Sequence, residues 1–192
     1  MKYLNTVVLI AVITTLSSFM VKDAEFKVDT QKSKITWVGK KVTGQHNGTI
    51  NLAEGSFTSK GKTISGGTFT IDMTTIKDAD GSARLEGHLK ADDFFATDKF
   101  PKSTFVITKI DSKGTDQYAV KGNLTIKGIT NEVEFPATIK MAKDQLTASA
   151  KIVVDRTKFD IKFRSGNFFE NLGDKAIEDN FELNVELVAS SK

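Results

Sequence analysis

The sequence predicts an all-β protein, a sandwich or closed barrel of around eight antiparallel strands with one short helix. Three observations predict it. From Phe26 onward apolar residues recur at every second position over long runs. Only one stretch shows helical spacing, and strands and helices do not alternate as βαβ units require. Glycines fall between the runs or at single points within them, where turns, bulges and close approaches are made.

The runs are read in chain order. Ile35 and Trp37 share a face. Phe69, Ile71 and Met73 share the next, opposite Thr68, Thr70 and Asp72, and Phe105 and Ile107 alternate with Thr104, Val106 and Thr108. The later strands are longer. Tyr118, Val120, Gly122, Leu124 and Ile126 oppose Lys121, Asn123, Thr125 and Lys127. Val133, Phe135, Ala137, Ile139 and Met141 oppose Glu132, Glu134, Thr138 and Lys140. Leu146, Ala148, Ala150 and Ile152 oppose Thr147, Ser149 and Lys151, and Phe181, Leu183, Val185 and Leu187 oppose Glu182, Asn184 and Glu186. One apolar and one polar face is the pattern of antiparallel strands with a single wet side.

Turn chemistry divides these runs. Asn47-Gly48 is the strongest hairpin signal, since both central positions of a type I′ turn need positive φ. Lys60-Gly61 and Lys127-Gly128 are further turns, Gly66-Gly67 marks a bulge or bend, and Gly122 a close approach. Ser82–Lys90 reads as the helix, with Leu85 and Leu89 one turn apart and Asp80 or Ser82 as cap.

Composition narrows the function. The chain has 192 residues, 39% of them hydrophobic, and a net charge of +3. That is one ordinary globular domain, with little charge to drive binding to nucleic acid or anionic surfaces. Without cysteine there is no disulfide, thiolate metal site, cysteine nucleophile or thiol anchor for a lipid. Of the aromatics 14 are Phe, whose rings need no polar partner and suit a dry core or an apolar cavity. Small residues on the inward faces, Gly122, Ala137, Ala148 and Ala150, leave volume behind them. An apolar lumen and a core filled by its own side chains are both open on this reading.

Residues 1–20 form a separate block. Lys2, the apolar run Val7–Val12 with Ile13 and Leu16, then Thr15, Ser17 and Ser18 make a secretory signal, cut between Ser17 and Ala24. The barrel domain is then expected over 25–192, in the periplasm or outside the cell. Chemistry is sparse. His46 and His88 lack metal-ligand spacing, Asp92-Asp93 and Glu132/Glu134 read as turn and wet-face residues, and no phosphate loop or nucleophile elbow is present. The sequence does not read as an enzyme, and no metal is expected.

Residues 84–101 carry an Arg, an acid, His88-Leu89, then Asp93-Phe94-Phe95 and Lys99-Phe100-Pro101 before a Phe-bearing strand. Gly122–Thr130, Asp155–Phe159, the closing strand Phe181–Leu187 and the opening Asp29 with Ser33–Trp37 follow the same pattern. Together these resemble the YceI-like family over nearly the whole domain. Here Glu86 keeps the acid's distance from His88, while Arg84 stands one place early.

The resemblance implies an extended, lipocalin-like, eight-stranded antiparallel β-barrel with one short α-helix. It implies an exported protein that holds a long isoprenoid lipid, a polyprenyl chain or a quinone, in the barrel lumen. The lipid is then the small-molecule partner, with no other cofactor and no nucleic acid; transient membrane contact and a homodimer are both open. The lining expected from the inward faces is Trp37, Phe69, Ile71, Phe105, Leu124, Phe135, Leu146, Ala148, Ile152 and Leu183. Arg84, His88, Asp93 and Arg156 are expected to brace the helix and loops near a barrel mouth, with His46 as another mouth candidate. The other reading is a non-catalytic stress or scaffold barrel with a self-filled core.

Overall fold

The computed structural model describes residues 23–191. The signal expected over residues 1–20 lies outside them. Nine strands form one antiparallel sheet closed on itself: β1 (Asp23–Val28), β2 (Lys34–Lys41), β3 (Gly44–Lys60), β4 (Thr63–Asp78), β5 (Lys102–Gly114), β6 (Gln117–Ile126), β7 (Ile129–Ala142), β8 (Gln145–Asp155) and β9 (Ile177–Ser191). Among the described residues a single α-helix, α1 (Ala83–Lys90), follows β4.

The barrel has eight wall positions, because β1 and β2 share one. Both strands lie antiparallel between β3 and β9: β1 against Ser56–Lys60 and Ala189–Ser191, β2 against Gly44–Ile50 and Ile177–Glu186. The break at Asp29–Ser33 is a side-chain-stabilised turn. Asp29 Oδ1 accepts from the backbone N–H groups of Gln31 and Lys32, and the Ser33 hydroxyl donates to the Asp29 carbonyl. Ser33 Oγ also accepts from the N–H of Val188 at 3.1 Å, which satisfies a donor that the break would otherwise orphan. The extra strand is thus one wall strand cut in two.

Asn47-Gly48 is not a turn. The two residues lie inside β3, paired with Val38 and Trp37, and the β2–β3 hairpin turns at Val42-Thr43 instead. Gly48 is there for space. A Cβ on it would overlap the carbonyl oxygen of Lys77 and stand 2.7 Å from Cζ2 of Trp37. The other turn signals hold. Gly61 lies at φ +62°, Lys127 and Gly128 are both left-handed, and the β3–β4 ladder slips by one residue beside Gly66. The helix begins where expected, with Ser82 Oγ accepting from the N–H of Leu85.

The two barrel ends differ in construction. At one end the chain turns tightly, at 60–63, 114–117 and 142–145. Phe26, Ile64, Leu146 and Ala189 pack this end as a floor, each nearly or fully buried. At the other end two long connections cross the barrel. One carries α1 and residues 91–101; the other runs from a 3-10 turn at Arg156–Phe159 through an irregular loop to β9. These two connections make a lid, and the site lies between lid and floor.

Candidate functional site: an apolar lumen beneath a two-part lid

A cavity of about 220 Å³ occupies the barrel axis. Its wall is built from the inward positions of β2 to β9, so the period-two alternation creates it directly. Trp37, Phe69, Ile71, Phe105, Leu124, Phe135, Ala148, Ile152 and Leu183 all border it. Leu146 does not. It is 0% exposed and belongs to the floor, since as the second residue of β8 it lies where the hairpins converge, opposite Met141 and Ala189.

Two kinds of inward residue keep the lumen open. Ala148 and Ala150 remove side-chain volume from β8 and remain only half-buried although they face inward. Gly39, opposite His46 and Phe181 across its two ladders, borders the cavity, and a Cβ there would meet nothing within 4 Å. Gly122 has the opposite role. Its missing Cβ would lie 2.5 Å from Cζ of Phe105, so the Phe105 ring lies flat across β6 and reaches Phe135 on β7, centroids 5.5 Å apart. With Phe69, 6.3 Å from Phe105, these rings form a continuous aromatic wall.

The lid is apolar beneath and polar around its edge. Leu89, Phe94, Phe95 and Ile161 close over the cavity. His88 stands edge-on between Phe94 and Phe163, at 4.7 and 4.8 Å, and its Nε2 lies 2.8 Å from Asp93 Oδ2. The edge-on packing of His88 against Phe163 links α1 to the second connection. Lys127 Nζ ties both connections again, donating to the carbonyls of Asp92 and Asp160.

Arg156 is the principal brace. It is 4% exposed and donates to the carbonyls of Glu178, Ile161 and Ile177 and to Asp179 Oδ1. Burial lowers its pKa, opposed by the carboxylates of Asp179 and Asp155. Its fork fixes the loop against the start of β9, where one side chain must meet several acceptors at once. Arg84, by contrast, lies exposed on α1 and its side chain enters no hydrogen bond or ion pair among the described residues.

His46 is on a strand rather than a turn. It lies at the lid end of β3 with its side chain 41% exposed, its Nδ1 3.9 Å from Asp78 Oδ1. The two histidines therefore face different carboxylates, and neither borders the cavity. On the second connection, Phe168 and Phe169 stand exposed. They are 51% and 50% exposed, with Lys162 Nζ 5.0 Å from the Phe168 ring centroid.

Gly39, Ser103, Phe94, Phe95 and Ile161 border the cavity without having been singled out as lining. Gly39 shares parity with Ile35 and Trp37, and Ser103 with Phe105 and Ile107, so period two contained both. The lid residues have no such signal, because their inward direction comes from irregular backbone.

Fold and lumen together define a cavity-bearing antiparallel barrel with one closed end. The chain belongs to the YceI-like family: the family's YceI-like domain pattern matches residues 26–189. A UPF0312 protein of Shewanella denitrificans is 29% identical over 116 residues, covering 60% of this chain and 61% of that one. A UPF0312 protein of Staphylococcus aureus strain USA300 is 42% identical over 85 residues, covering 41% of this chain and 47% of that one. The chain thus spans about half to three fifths of the length of these relatives. Among solved structures, BcnA of Burkholderia cenocepacia superposes with TM-score 0.71 at 25% identity, covering 85% of this chain and 99% of that one. A domain of Saccharophagus degradans described as polyisoprenoid-binding gives TM-score 0.67 at 11% identity, covering 87% and 98%. The latter likeness is one of fold.

Proposed function

We propose that this protein is an exported, non-catalytic carrier that holds an isoprenoid-type amphiphile, a polyprenyl chain or an isoprenoid quinone, in its barrel lumen. The observation that carries the reading is the cavity of about 220 Å³, walled by apolar side chains and sealed at its floor. Burying each CH₂ group of a ligand there is worth ~0.8 kcal/mol, so a branched hydrocarbon tail binds without polar contacts. The polyisoprenoid binding stated for the Saccharophagus degradans domain of the same fold supports the ligand class. Export rests on the pattern of residues 1–20. Transfer from a bilayer belongs to the same reading, and the exposed Phe168 and Phe169 stand at the lid end, where such contact would fall.

A barrel filled by its own side chains would have no such cavity, so the cavity supports the carrier reading over the scaffold one. The test is solvent extraction of the folded protein, isolated from the cells that make it, with mass spectrometry of the extract. The expected result is one isoprenoid lipid in near-stoichiometric amount. An extract holding only bulk phospholipid in trace amounts would contradict the reading.

A further inference from the structure

Ser103 is the second residue of β5 and shares inward parity with Phe105 and Ile107. It is 4% exposed and borders the cavity, yet its Oγ has no hydrogen-bond partner. Its partner on β4 is Ile71, and the pairing beside it, Thr104 with Thr125, brings Ile126 next to it on β6. Both isoleucines also border the cavity, so the wall offers the hydroxyl no acceptor. An unpaired buried hydroxyl costs about 1–3 kcal/mol, and native folds leave few such groups unsatisfied. Among neighbouring inward positions that are all apolar, Ser103 carries the one hydroxyl, buried in the cavity wall at the lid end.

We propose that Ser103 Oγ is the headgroup site of the lumen, donating a hydrogen bond to an uncharged oxygen of the bound amphiphile: a carbonyl, ester or ether. The proposal rests on the lipid reading above and adds the ligand's orientation and headgroup class. The polar end lies beneath the lid and the tail runs toward the floor.

The charge distribution selects the uncharged class. Among the described residues Arg156 is the one cationic side chain on the cavity wall, and four of its five N–H donors are engaged, by three carbonyls and by Asp179. Glu178 borders the same end. A phosphate or carboxylate would enter this apolar space beside an acid and without an available cation, at the large desolvation cost of an unpaired ion. A carbonyl oxygen loses far less on leaving water and regains its hydrogen bond at Ser103.

The test uses Trp37, the single tryptophan of the chain and part of the cavity wall, as reporter. The probes are geranylgeranyl acetate, the matching hydrocarbon in which the ester is replaced by an alkyl group, and geranylgeranyl phosphate. Each is titrated against the wild type and Ser103→Ala. The expected result is that Ser103→Ala weakens the acetate about tenfold and changes the hydrocarbon by less than about twofold. The phosphate is expected to bind weakest to both proteins.

Because the hydroxyl has no partner in the fold, the urea midpoint of Ser103→Ala should equal or exceed that of the wild type. A lowered midpoint would show that Ser103 Oγ is satisfied within the protein and would overturn the proposal. Equal weakening of acetate and hydrocarbon, or no weakening of either, would also overturn it. Tightest binding of the phosphate would replace the uncharged site with an anionic one. If no probe changes Trp37 emission in either protein, the lipid reading itself fails and this site falls with it.

Discussion

The Trp37 indole lies over Gly48, with Cζ2 2.7 Å from where a Cβ of that residue would stand. Its Nε1 donates to the carbonyl of Lys77 at 3.2 Å. The lumen wall at this point depends on an absent side chain. Gly48→Ala would force the β3 backbone away from β4 or push the indole into the cavity. Overpacking of this kind costs about 3 kcal/mol where backbone atoms are the obstacle. Urea unfolding followed by Trp37 emission checks it. A loss below about 1 kcal/mol would mean that the wall yields.

Gly39 is the opposite case, a glycine with open space above it. Gly39→Ala should raise stability by about 0.5–1 kcal/mol, since glycine in a strand carries an entropic penalty and nothing here opposes a Cβ. Gly39→Phe should fold as well but fill the lid end of the lumen. Ala148→Phe should do the same from the middle of β8, where the alanine borders the cavity. Both bulky variants are expected to lose at least tenfold in affinity for a geranylgeranyl probe while keeping the wild-type urea midpoint within about 1 kcal/mol. Retained affinity in a folded Ala148→Phe protein would remove that residue from the tunnel.

The buried guanidinium of Arg156 has partners that no other side chain replaces. Arg156→Met strands three carbonyls and the Asp179 carboxylate, and breaking a buried pair from one side costs about 3–5 kcal/mol. Arg156→Lys should recover only part, because an ammonium lacks the planar fork. Trypsin reports the same change locally. Cleavage at Lys162, Arg164 and Lys175 should speed up in both variants, most in the methionine one.

Glu182 sits on the outer face of β9 between Lys40 at 2.9 Å and Lys151 at 2.7 Å. The hydrogen bonds from Lys151 and Lys40 hold its pKa down at about 2, against an ordinary 4.5. A carboxyl depressed in the folded state stabilises it fully above the unfolded pKa, and that contribution disappears as pH falls through the folded value. The Tm should therefore decline between pH 4.5 and 2, and Glu182→Gln should flatten that limb while leaving the neutral-to-alkaline profile nearly parallel to the wild type. The effect is expected to shrink in high salt, since the groups meet at the surface. An acid limb unchanged in Glu182→Gln would show that other carboxylates set it.

Much of this barrel is legible in the sequence because its wall obeys one rule. Tyr118 to Ile126 and Val133 to Met141 alternate without interruption, and their parity alone identifies which side chains face inward. The rule fails where spatial partners decide. Asn47-Gly48 carries the composition of a turn, but the glycine answers to Trp37 and to a carbonyl on another strand 29 residues later, at Lys77. The break at Asp29–Ser33 depends on Ser33 meeting Val188, at the far end of the chain. Parity also cannot say how deep an inward residue lies, so Leu146 reads like Ala148 although one packs the floor and the other borders the cavity. The lid follows from hydrogen bonds made by Arg156 and Lys127 across irregular backbone, and no periodicity precedes them.

The most direct test of the central claim is photocrosslinking with a polyprenyl analogue bearing a diazirine on its tail, followed by peptide mapping. The lumen reading predicts adducts on inward residues of β7 to β9, among them Phe135, Ala148 and Leu183, and their loss in Ala148→Phe. Adducts confined to the exposed surface, such as the Phe168-Phe169 loop, and unchanged in Ala148→Phe, would contradict it.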